Sequence, residues 1–239
     1  LVYERFSSRE NDIVTGVVQR IENKNVYIDL GKVEAVLAAT EQIPGEVYQY
    51  HERMKTYIIE VKRTSKGPQI MVSRTHPGLL KRLFELEVPE IHDGVVEIKS
   101  VAREPGMRSK ISVYTQDDNI DPVGACVGHK GMRVQTIVNE LRGEKIDIVK
   151  YSEDPAQYVA NALSPAKVVS TQVDENEKIC RVVVPDYQLS LAIGKEGQNA
   201  RLAAKLTGWK IDIKSESQAA EEAEQGAQEV GVAYEADED

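Results

Sequence analysis

Two stretches of this chain repeat one another. VGHKGMRVQTIVNELRGEKIDI runs from Val127 to Ile148, and IGKEGQNARLAAKLTGWKIDI runs from Ile193 to Ile213. Each opens on two glycines three positions apart, continues as a helical pattern and closes on Ile-Asp-Ile. The loops lie 66 positions apart, whereas Gly143 and Gly208, like the two Ile-Asp-Ile runs, lie 65 apart. The first copy therefore holds one extra residue near Arg142. The preceding segments repeat in the same order, which predicts a tandem α-β-β-α-α-β unit rather than one large core.

The rest of the chain divides around this duplication. Up to residue 75, short β-branched runs (Ile13 to Ile21, Val26 to Leu30, Glu34 to Leu37, Thr56 to Lys62 and Gln69 to Ser73) alternate with turn signals. These include Gly31, Pro44-Gly45 and Lys66-Gly67-Pro68, and the pattern predicts a small five-stranded barrel. Alternation places Val26, Ile28 and Leu30 inside and leaves Tyr27 and Asp29 outside. Tyr57 shares a face with Ile59 and Val61 and reads as core. Leu79, Leu80, Leu83, Phe84 and Leu86 then mark an amphipathic linking helix.

In the first repeat, strands at Gly94 to Arg103 and Ser109 to Thr115 precede a short helix, the loop, and a helix from Met132 to Arg142. Its Val134, Ile137, Val138 and Leu141 form one buried face. In the second, Asp186 is placed to cap the helix before the loop, and Ala200, Ala203, Ala204 and Thr207 match the buried register of the first copy.

A net charge of -9 argues at first against a nucleic-acid partner. The nine acidic residues of Ser215 to Asp239 account for it, leaving 30 acids against 30 bases before them. A neutral body can carry basic patches, and patches steer ligands. The tail has the composition of a disordered segment. No apolar run approaches a membrane span. The two cysteines, Cys126 and Cys180, lack any CxxC or metal-ligand spacing and read as buried thiols. The chain starts at Leu1, which we read as a fragment lacking upstream residues.

A glycine pair between two helices lets a backbone approach closely, and the free N–H groups of the second helix favour phosphate there. Neither loop has Walker spacing, and neither follows a strand as a dinucleotide fingerprint would. Lys130 and Lys195 are the candidates to reach phosphate, with a solvated loop charge the competing account for each. His129 reads as a polar loop residue. Arg133 and Arg201 lie on the following helices. Glu196 makes the second loop less basic. Asp117, Asp118 and Asp121 are the nearest approach to a carboxylate cluster, and they read as turn and cap residues.

These loops and flanks resemble KH domains, in the strand order of the prokaryotic type II form. The amino-terminal segment resembles an S1-type OB barrel, through Gly16-Val17-Val18, VYIDLG and Ile70-Met71-Val72-Ser73-Arg74. The resulting fold class is α+β multidomain. Its expected parts are an S1 barrel at 1–75, a linking helix and first KH domain at 76–151, a second KH domain at 152–214, and an acidic tail at 215–239. This order, with stretches such as GPQIMVSRTHPGLLKRLFELEVPEI, is similar to the NusA family of bacterial transcription factors.

The resemblance implies binding of single-stranded nascent RNA and a part in pausing, termination and antitermination. It implies contacts with RNA polymerase and other transcription factors in the full-length protein, and no catalysis, cofactor or metal. A cytoplasmic monomer with no membrane contact is expected. From the resemblance we expect this stretch to lack the family's amino-terminal polymerase-binding domain, and its tail to be too short for an acidic repeat domain.

The implied RNA contacts map onto Gly128, His129, Lys130, Gly131 and Arg133, and onto Gly194, Lys195, Glu196, Gly197, Asn199 and Arg201. On the barrel, OB folds bind strands with aromatic platforms and basic rims. Tyr27, Arg53 and Lys55 are candidates there, with Tyr48, Tyr50 and His51. The two KH units are expected to pack together as one RNA track. The competing functional readings are an RNA-processing or exoribonuclease accessory subunit and a protein-docking scaffold.

Overall fold

The computed structural model describes residues 2–235. The chain forms two compact units, one ending at residue 148 and one starting at 149.

In the first unit, α1 (Val2–Ser7) precedes β1 (Ile13–Glu22), β2 (Asn25–Asp29), β3 (Glu34–Leu37), β4 (Arg53–Thr64) and β5 (Gly67–Ser73). The strands close a barrel in the order β1-β2-β3-β5-β4. Val18, Val26, Ile28, Leu37, Ile58, Ile70 and Val72 fill it, so the alternation read for Val26 and Ile28 holds. Tyr57 is buried too, but in the neighbouring core, stacked on His76 at 4.5 Å. A bulge explains the difference. The register of β4 against β5 shifts between Ile58 and Glu60. Tyr57 and Ile59 therefore face the linking helix, while Val61 joins Ile58 inside the barrel.

The first repeat comprises α2 (Pro77–Glu87), α3 (Pro89–His92), β6 (Val96–Glu104), β7 (Arg108–Thr115), α4 (Pro122–Val127), α5 (Met132–Glu140) and β8 (Lys145–Lys150). The strands form a sheet in the order β6-β7-β8. Leu79, Leu80, Leu83 and Phe84 of α2 are buried between barrel and sheet, but Leu86, in the last turn of the helix, is exposed. Asp121 caps α4 by accepting from Val123 N.

The second unit repeats the pattern with α6 (Pro155–Ala162), β9 (Ser170–Asp174), β10 (Ile179–Val184), α7 (Leu189–Ile193), α8 (Gln198–Thr207) and β11 (Lys210–Ser215). β10 is antiparallel to β9 and parallel to β11. The buried residues of α8 are Asn199, Leu202, Ala203 and Leu206. The expected Ala200, Ala204 and Thr207 are only half-buried, because the two leucines carry more apolar area and rotate the helix to bury it.

The acidic segment departs from expectation. Glu216–Glu235 forms a helix, α9, and residues 236–239 lie outside the described residues. Ala, Glu and Gln favour helix strongly, and the start of α9 is tied down. Ser217 N donates to Asp186 Oδ1, and Lys214 pairs with Glu222. Asp186 thus anchors α9 rather than capping α7, the helix before the second loop, which has Gln188 at its N-cap and no side-chain cap bond.

Candidate nucleic-acid interface

Both glycine loops follow one backbone path. Gly128 has φ 79° and ψ 172°, Lys130 φ 54° and ψ 28°, and Gly131 φ 73° and ψ 14°. Gly194, Glu196 and Gly197 match at 80° and 168°, 56° and 25°, and 75° and 12°. The first glycine of each pair has no room for a side chain. A Cβ on Gly128 would lie 2.6 Å from Arg133 Cγ, and one on Gly194 would lie 2.7 Å from Asn199 N. The second glycine faces open space and is required only by its left-handed φ. Each loop feeds directly into the positive end of a helix, α5 or α8.

His129, Lys130, Lys195 and Glu196 are all exposed on these loops. Arg133 and Asn199 occupy equivalent positions and are braces rather than free contacts. Arg133 Nη1 donates to Glu90 Oε2 at 2.8 Å and to Ala125 O at 2.7 Å. Asn199 is buried, and its Nδ2 donates to Leu163 O and Ala192 O, both at 3.0 Å. Each side chain folds back beneath its first glycine, which is why the sequence spacing alone made them look available. Arg201 stays exposed and donates to Glu196 O at 3.0 Å, closing the second loop.

On the barrel, Tyr27 carries the Arg20 guanidinium 4.3 Å from its ring centroid, and Arg20 pairs with Glu34 at 2.8 Å. Tyr50 is exposed beside His51, with ring centroids 3.9 Å apart. Tyr48 is buried and accepts from Ile43 N at 3.1 Å, so it is not a platform. Burial and the adjacent Glu46 push its hydroxyl pKa up. Arg53 is exposed. The main chain of Lys55 is committed to the barrel's seam with the first repeat: its N donates to Glu140 Oε1 at 3.0 Å, and its O accepts from Arg74 at 2.9 Å.

That seam is built from charges the sequence did not single out. Arg74, fully buried, grips Glu46 with two bonds of 2.9 Å and reaches Glu140 Oε1 at 3.4 Å. Arg142, beside the point where the first copy holds its extra residue, has φ 59° and bonds to Val47 O and Glu52. A groove of about 500 Å³ beside it is lined by Ile43, Pro44, Gly106 and Leu141. Helix α5 therefore starts at the glycine loop and ends at the barrel.

Further inside the first repeat, Glu144 accepts from Arg103, Ser109 Oγ and Gly106 N. Asp147 accepts from Arg108 and Lys110, each at 2.8 Å. Burial opposes ionisation of Asp147, but these two cations outweigh it and hold its pKa below the usual value. No local signal marks such residues, because each is buried only by virtue of partners distant in sequence.

Both cysteines are free and buried, and burial with nearby Glu90 pushes the Cys126 thiol to about 12. Asp117 serves a turn, accepting from Asn119 N at 2.9 Å, as its spacing predicts. Among the described residues, no three His, Cys, Asp or Glu side chains gather as a metal site, and no helix is long and apolar enough to cross a membrane.

Residues 7–73 match the S1 RNA binding domain, 74–151 the NusA-like first KH domain and 155–221 the NusA-like second KH domain. The chain is 70% identical over 221 residues to the transcription termination/antitermination protein NusA of Halalkalibacterium halodurans, covering 92% of this chain and 58% of that protein. It is 68% identical to the protein of that name from Bacillus subtilis, covering 92% and 60%. The Thermus thermophilus protein is 50% identical, with 88% and 54% covered. The chain thus spans about three-fifths of the length of the curated relatives it matches. With its barrel and its duplicated glycine-loop units in this order, the chain belongs to the NusA family, as the S1–KH–KH region.

Proposed function

We propose that this chain binds single-stranded RNA without transforming it, and that it serves transcription termination, antitermination and pausing within a longer protein. The observation that carries the reading is the pair of glycine loops held in one backbone conformation, each at the positive end of a helix. Lys130, Lys195 and His129 contact phosphates, while Gly128, Gly131, Gly194 and Gly197 let the RNA backbone approach. Arg201 keeps the second loop in shape, and Arg133 and Asn199 brace the first glycines from below. Tyr27, Arg53 and Lys55 extend the contact onto the barrel. RNA polymerase and other transcription factors are the partners of the longer protein, in the cytoplasm, and this region acts as a monomer.

The relatives' name supports the transcriptional part of this reading. The RNA part is tested by fluorescence anisotropy of a labelled single-stranded RNA against wild type and a His129→Asp, Lys130→Asp, Lys195→Asp variant. The expected result is strong loss in the variant with its circular dichroism unchanged. Equal binding would overturn the loop assignment. Incubating RNA with the protein and Mg²⁺ should leave it intact, and specific cleavage would favour the RNA-processing alternative.

A further inference from the structure

The sheet of the first repeat ends on β6, and among the described residues no strand lies beyond it. It is the edge opposite β8, the strand that α5 and its glycine loop lead into. In an antiparallel pair every second residue turns its N–H and C=O away from the neighbouring strand, so an edge strand carries a row of outward peptide groups. Bulges and charges usually blunt such an edge. β6 is blunted only in part. Its register against β7 shifts between Ile98 and Ser100, which leaves Val96 to Ile98 regular. Thr115 Oγ1 donates to Val95 O at 2.8 Å and holds the residue before them against β7.

This short regular stretch has a groove on each side. Alternation sends Val96 and Ile98 toward the helices, and Val95 and Glu97 the other way. On the helix side a groove of about 340 Å³ is lined by Lys81, Glu85, Ile91 and Ile98. On the other side one of about 420 Å³ is lined by Val95, Glu97, Tyr114 and Asp117. Val95 is 40% exposed, although it is apolar and β-branched. Grooves on both faces of one edge are what an added strand needs, since its side chains alternate between the faces.

The charge around the edge selects the occupant. Residues 81–99 and 114–121 together hold eight acids and three bases. Two of those bases are engaged, Arg82 with Glu85 at 2.7 Å and Lys99 with Glu97 at 3.5 Å. Asp93, Asp117 and Asp118 are exposed. Such surroundings repel phosphate, and a second copy would bring its own acids against them. A polypeptide carrying Lys or Arg complements them.

We propose that the β6 edge docks an extended segment of another protein, one that alternates apolar and basic side chains. The segment adds a strand along Val95 to Ile98. Its apolar side chains enter the helix-side groove against Ile91 and Ile98, and its cations lie beside Glu97 and Asp117. The proposal is independent of the RNA-binding reading.

The test titrates the ¹⁵N-labelled chain with a capped peptide of about seven residues alternating Val and Arg, a strand's usual length. The expected result is amide shifts at Gly94–Lys99 and slowed hydrogen exchange along β6. Replacing the peptide's arginines by glutamates should weaken binding by about tenfold or more, and Glu97→Arg, at an exposed site, should do the same to the arginine peptide. Of two analogues, one N-methylated at its valines and one at its arginines, one should fail to bind, because only one set of N–H groups faces β6. Absence of β6 shifts at millimolar peptide, shifts confined to α9, or equal binding of both N-methylated analogues would overturn the proposal. So would β6 shifts on adding oligo(U), which would give the edge to RNA, or a dimer in light scattering that Glu97→Arg abolishes, which would give it to a second copy.

Discussion

At the residue scale, the two glycines of each loop answer to different constraints. Gly194 is hemmed by the backbone of Asn199, which cannot step aside, whereas Gly128 is hemmed by the flexible side chain of Arg133. Gly194→Ala should therefore destabilise by about 2 kcal/mol or more, and Gly128→Ala by about 1 kcal/mol, in urea unfolding. Gly131, with open space around it and φ 73°, should accept Asn at a cost below about 1 kcal/mol. Cys126, its thiol held protonated by burial, should label with iodoacetamide at pH 8 only as fast as the protein opens. The glycine spacing was legible in the sequence because it recurs. The burial of Asn199 was not, because helical spacing does not say which side chain turns back under the loop.

At the scale of elements, helix α5 links the candidate RNA loop to the barrel through Glu140 and the adjoining Arg142. The duplication marked an insertion near Arg142, but the role of Arg142 appears only with its partners in the barrel loop. Arg74→Met should destabilise by about 3–5 kcal/mol in chemical denaturation, because it strands the carboxylate of Glu46, itself 3% exposed. Arg142→Ala, at a partly exposed site, should cost about 1 kcal/mol. Asp147 adds a pH dependence. Its folded pKa lies below its unfolded value, so its contribution is present above about pH 4 and is lost as pH falls through the folded pKa. The stability gap between wild type and Asp147→Asn should accordingly be widest near neutrality and should shrink toward pH 3. Strands and helices were legible from periodicity. The bulge in β4 and the helical state of Glu216–Glu235 were not, since a bulge has no period and the helix depends on its anchor at Asp186.

For the whole molecule, charge is segregated along the chain rather than balanced throughout. The acidic residues after Lys214 leave a neutral body, so on the proposed reading RNA affinity follows the loops and not the sum of charges. Removing residues 215–239 should leave RNA affinity level or raise it slightly, and a large loss in anisotropy titrations would mean that α9 takes part in binding. The most direct test of the central claim is to titrate the ¹⁵N-labelled protein with single-stranded RNA and follow its amide signals. The account expects the largest shifts at Gly128–Arg133 and Gly194–Asn199, with smaller ones around Tyr27 and Arg53. Shifts confined to the barrel, with both glycine loops unmoved, would contradict it.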